Sequence, residues 1–65
     1  MRIRRDEVGR YVVSTVRLPD GVYETMVRNP QGEWDFDESG VHSSDEKEAN
    51  TRHEEAMERC RRMLT

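Results

Sequence analysis

Residues 10–18, RYVVSTVRL, are rich in β-branched and aromatic side chains, and so are 22–28, VYETMVR, and the shorter 33–37, EWDFD. Such runs suit extended strands, where branched side chains pack on a pleated surface. Between them stand Pro19-Asp20-Gly21 and Asn29-Pro30-Gln31-Gly32. Proline presets φ at the second turn position, and glycine accepts the left-handed position that closes the turn. The pattern predicts a three-stranded antiparallel meander. A type I turn closed by a glycine bulge sets Leu18 opposite Val22, so Val16 faces Glu24 and Ser14 faces Met26. The same turn at 29–32 sets Arg28 opposite Trp34 and Met26 opposite Phe36. One sheet face then carries Val12, Val16, Leu18, Val22, Met26, Trp34 and Phe36, the expected core. The other carries Tyr11, Val13, Thr15, Arg17, Tyr23, Thr25 and Val27, too apolar for a plain solvent face and therefore the expected partner-binding surface. A slip of one residue exchanges the two faces.

From residue 44 the period changes. Ala49, His53, Ala56, Met57, Cys60, Met63 and Leu64 recur at helical spacing and predict one apolar face of a helix over 44–64. Ser43 with Glu46, or Asp45 with Glu48, has the spacing of a capping box. Acids crowd the first turn and Arg59, Arg61 and Arg62 the last, as the helix dipole favours. Residues 1–9, MRIRRDEVG, are polar and expected to be partly flexible. The fold class is thus α+β: one small βββα domain over 1–65, with the helix laid on one sheet face.

Composition limits what this fold can hold. Of 65 residues only 32% are hydrophobic, and a core of that size supplies about 3–5 kcal/mol at most. Cys60 is the lone cysteine, so no disulfide adds to it, as expected in a reducing compartment. No apolar run approaches the roughly 18 residues of a membrane span, and no signal peptide is visible. The expectation is a soluble, cytoplasmic protein without membrane contact. A homodimer or a complex with a host protein would supply further burial. The net charge of −3 is segregated: residues 1–30 carry +2, residues 31–50 carry −6 and residues 51–65 carry +1. An acidic middle block argues against tight nonspecific nucleic-acid binding, which rests on phosphate neutralisation.

Residues 35–46, DFDESGVHSSDE, have the spacing of a twelve-residue calcium loop. In it Asp35, Asp37 and Ser39 would be the first ligands, Gly40 the sharp turn, Val41 a carbonyl ligand, Ser43 a direct or water-mediated one, and Glu46 the bidentate closure. The entering helix of such a site is missing, because Pro30 and Gly32 stand in its place. The same residues also read as strand, turn and helix cap. His53 lies on the apolar helix face and is expected to pack there, beside Trp34, and Cys60 with it. No nucleophile elbow, P-loop, zinc-protease motif or cysteine pair occurs, so an enzyme is not expected. Nor is a cofactor, calcium aside. A nucleic-acid alternative remains: three-stranded sheets can lie in a major groove, and Arg17, Tyr23, Thr15 and Thr25 would then do the reading.

VSTVRL (13–18), YETMV (23–27) and SDEKEANTRHEEAM (44–57) resemble a group of small uncharacterised proteins of actinobacteria and their phages. In that group the segments run V-S-T-V-W-L, F-E-T-M-V-F and S-T-E-A-E-A-x-x-G-H. The likeness covers about half of the chain. Arg17, Arg28 and Arg52 depart from it. It carries no activity over, but it implies a phage or prophage accessory protein. The expected function is therefore non-enzymatic protein binding, directed at a host or phage protein or at a second copy of the chain.

Overall fold

The computed structural model describes residues 1–35 and 41–64. Among the described residues, five strands and a helix follow one another: β1 (Arg2–Val8), β2 (Tyr11–Arg17), β3 (Tyr23–Arg28), β4 (Trp34–Asp35), β5 (Val41–Ser43) and α1 (Glu46–Met63). The sheet is antiparallel, in the order β1-β2-β3-β4. β4 and β5 divide the outer edge of β3 between them. Val27 and Arg28 pair with Asp35 and Trp34, whereas Tyr23, Glu24 and Thr25 pair with Ser43, His42 and Val41. The fold is α+β, with a single C-terminal helix against the sheet.

Local chemistry acts where the sequence places it. The Gly21 amide donates to the Leu18 carbonyl and the Leu18 amide to the Val22 carbonyl, with Gly21 at φ 86°. The second turn repeats this: Gly32 donates to Asn29, Asn29 to Glu33, and Gly32 sits at φ 89°. Asn29 Oδ1 accepts from the amides of Gln31 and Glu33 and locks the turn. These turns produce the expected register, with Val16 opposite Glu24, Ser14 opposite Met26 and Arg28 opposite Trp34. Phe36 lies outside the described residues. At the helix start Asp45 is the N-cap, and its carboxylate accepts from the Lys47 amide.

Two expectations are corrected. Residues 1–9 are not loose: Arg2–Val8 is an edge strand, paired with β2 from Arg2 opposite Val16 to Val8 opposite Tyr11. Its alternation is polar on both sides, so hydropathy does not reveal it. What holds it is the ladder to β2 and the ion pairs described below. The sheet faces are also exchanged. α1 covers the side of Tyr11, Val13, Thr15, Thr25 and Val27, and the core cluster is Val8, Val13, Val27, Ala56, Met57 and Cys60, with Tyr11 packed against it. The residues that α1 buries are mostly small: Ala49, Ala56 and Cys60 beside His53 and Met57. A helix with such a stripe approaches the backbone of the sheet closely, and short β-branched side chains fill the remaining gap. Trp34 and Met26 are too large for it and stay on the uncovered side, Trp34 at 39% exposure.

Candidate functional site

Under α1 a chain of polar groups crosses the core. Thr25 and Thr15 Oγ1 are 2.8 Å apart, Thr15 Oγ1 lies 2.7 Å from His53 Nδ1, and His53 Nε2 lies 2.8 Å from Asp6 Oδ2. Arg4 continues the chain: its Nε donates to Asp6 Oδ2 and its Nη2 to Glu54 Oε1. Strand alternation makes this possible, because Arg4, Asp6 and Val8 share the face of β1 that pairs with Thr15, Val13 and Tyr11.

Proton positions follow from the acceptors. An ionised carboxylate can only accept, so His53 Nε2–H donates to Asp6. Nδ1 of the neutral ring then accepts from the Thr15 hydroxyl, and Thr15 accepts from Thr25. Thr25, Thr15 and His53, the buried members of this chain of groups, each find a partner, as buried polar groups must. His53 is completely buried, and burial lowers its pKa, against the opposing pull of the Asp6 hydrogen bond. The hydrogen bond from His53, with help from Arg4, holds the Asp6 carboxyl below its ordinary value. Glu54 is likewise lowered by Arg4.

Hydroxyl, imidazole and carboxylate in this order have the sequence of a nucleophile, its base and an orienting acid. Access separates the two cases. Thr15 is 2% exposed and His53 is not exposed at all, so a substrate carbonyl has no approach to the hydroxyl. The arrangement acts as a polar clasp that fastens β1 and α1 to the centre of the sheet. Sequence inspection gives His53 as a packed side chain, which it is, but beside Thr15 and Asp6 rather than Trp34. Asp6, Arg4 and Glu54 were missed. One signal was there: a histidine on an apolar helix face needs partners for two ring nitrogens.

The expected partner-binding residues lie on the wrong side for that role. Val13, Thr15, Thr25 and Val27 are buried beneath α1, Tyr11 and Tyr23 are half-buried, and only Arg17 is exposed. A groove-reading role for Thr15 and Thr25 is closed for the same reason. The calcium pattern fares differently. Asp37 and Ser39 lie outside the described residues. Asp35 pairs with Val27 in β4 and Ser43 with Tyr23 in β5, four residues apart along β3. Val41 belongs to β5, and Glu46 opens α1 as an exposed residue. Among the described residues, no group of three or more His, Cys, Asp or Glu side chains is placed to hold a metal, and no helix is long and apolar enough to cross a membrane.

The face left open carries Val12, Ser14 and Val16 from β2, Glu24, Met26 and Arg28 from β3, Arg2, Arg5 and Glu7 from β1, and Trp34 from β4. Among the described residues, no helix or strand packs on it. Val16 and Met26 are half-buried and Trp34 is exposed, giving an apolar stripe bordered by guanidinium groups. Comparison with protein-family models, curated proteins and solved structures finds no match for this chain.

Proposed function

We propose that the chain is a small non-enzymatic protein-binding module that engages its partner through the open sheet face. The observation that carries this reading is the stripe of Val16, Met26 and Trp34 on the one sheet surface that α1 does not cover, in a domain with few apolar residues to leave outside its core. Exposed apolar area rimmed by charge is the usual mark of an interaction surface, and an aromatic anchor flanked by arginines is the composition of interface hot spots. The reactive order of Thr15, His53 and Asp6 is buried, which supports binding rather than catalysis. The resemblance to small phage and actinobacterial proteins favours a phage or prophage accessory role, with a host protein as the target.

The test compares wild type with Met26→Asp and Trp34→Ala as bait in a host lysate. Both substitutions sit outside the helix-covered core, so the far-UV circular dichroism should be unchanged. A host protein retained by wild type and lost with either variant supports the reading. Equal retention by all three baits refutes it, as does a folded wild type that retains none. Duplex DNA binding at low salt, abolished by Arg28→Gln, would replace protein binding with nucleic-acid binding.

A further inference from the structure

At one end of the open face, β1, the β1–β2 turn and the β3–β4 turn enclose a cleft of about 320 Å³. Arg5 reaches it from β1, Arg10 from the turn and Arg28 from β3, with Val12 as part of its floor. Three arginines from separate parts of the fold converge there. Arg10 and Arg28 have no ion pair among the described residues, and Arg5 meets only Glu7, loosely, at 3.5 Å. Of the other arginines, Arg4 pairs with Asp6 and Glu54, and Arg52 and Arg61 with glutamates of their own helix, whereas Arg2, Arg17 and Arg59 have no ion pair among the described residues but are not gathered in one cleft. The turn is cut to fit one of the cleft's cations. A Cβ at Gly32 would lie 3.3 Å from Arg28 Nη2 and 3.8 Å from its Nε, so glycine leaves room for the guanidinium to lie against the backbone.

We propose that this cleft is a binding site for a phosphate monoester dianion. Guanidinium groups present forked donors that match the oxygens of such an anion, and several charge-assisted hydrogen bonds at once give both strength and geometry. The charge balance selects the ligand. Three arginines against Glu7 leave an excess of two positive charges, which a dianion neutralises, whereas a carboxylate or a phosphodiester leaves one uncompensated. Val12, which lines the cleft at 8% exposure, offers an apolar floor for the carbon bearing the ester. The site adjoins the stripe at Arg28, which pairs with Trp34, but does not rest on the stripe.

Inorganic phosphate, O-phosphoserine, dimethyl phosphate and acetate are titrated separately into the folded protein at constant ionic strength. Backbone amide and arginine Nε–H shifts are followed by NMR. Phosphate and phosphoserine should saturate, with a dissociation constant on the order of 1 mM for so small a ligand, and the shifts should cluster at residues 5–12 and 28–32. The two monoanions should bind about tenfold more weakly, the loss expected for one charge-assisted contact. Phosphoserine tighter than inorganic phosphate marks an esterified source; the reverse order marks free phosphate. Arg10→Gln and Arg28→Gln, both exposed and so compatible with folding, should each weaken binding by about the same factor. Arg17→Gln and Arg59→Gln, exposed arginines outside the cleft, should leave it unchanged. Linear, unsaturating shifts, or equal losses in all four variants, would overturn the proposal, because they describe a diffuse positive field rather than a built site.

Discussion

Acidification tests the polar clasp most directly. His53 is fully buried and neutral, and burial holds its pKa below the ordinary value of 6.5. In the unfolded chain the same ring takes up a proton as pH falls past about 6.5. Below that point the unfolded state binds the extra proton and the folded state does not, so stability falls with pH. Above it the two states bind equally and His53 contributes no slope. The loss continues until the folded pKa is reached, at a limiting rate of about 1.4 kcal/mol per pH unit. In a domain of this size that is about 6–11 °C in Tm per unit. Asp6 acts in the same direction in a lower window. Its carboxyl is depressed first of all by the His53 hydrogen bond. Its stabilisation is therefore complete above the ordinary value of 3.8 and is lost as pH falls through the folded pKa. The assay is urea unfolding followed by far-UV circular dichroism from about pH 8 to about pH 5. It is run in a His42→Asn background so that His53 is the only histidine. The result that refutes the reasoning is a stability that stays flat or rises as pH drops below 6.5. A flat profile would mean that the Asp6 interaction balances burial, and a rising one that it outweighs burial and keeps the ring charged in the core.

Three further substitutions probe the same packing. Thr15→Val removes the donor to His53 Nδ1 and the acceptor for Thr25, and two stranded groups in the core should cost about 1–3 kcal/mol in chemical denaturation, although the shape is conserved. Met57→Ala, beneath the helix against the core valines, should cost about 2–5 kcal/mol, and an unchanged Tm would show that α1 packs elsewhere. Gly9→Ala should cost about 1–2 kcal/mol of backbone strain, because φ is 60°. The new Cβ would lie 2.7 Å from Cδ1 of Leu64, but that side chain is exposed and can swing aside, so adding Leu64→Ala should recover little of the loss, which a double-mutant cycle checks.

Short-range chemistry made much of this fold legible in the sequence. Proline and glycine at fixed offsets in 18–22 and 29–33 set the turns, the turns set the register, and Asp45 with the helical spacing of Ala49 to Cys60 set α1. Each of these depends on neighbours within a few residues. The choice of face does not. Both sides of the β2–β3 pair are half apolar, so hydropathy alone ranks the side of Met26 and Trp34 first, and the tertiary structure buries the other. It does so because α1 presents small side chains and a histidine with two nitrogens to satisfy. Only the side of Thr15, joined by Asp6 from a strand almost fifty residues away in the chain, meets both needs. β1 was hidden for the same reason. Arg4 and Asp6 read as solvent-loving until a fold places Glu54 and His53 beside them. The arginine cleft is likewise a product of topology, since residues 5, 10 and 28 share no sequence pattern and converge only because antiparallel pairing brings two turns to the same end of the sheet.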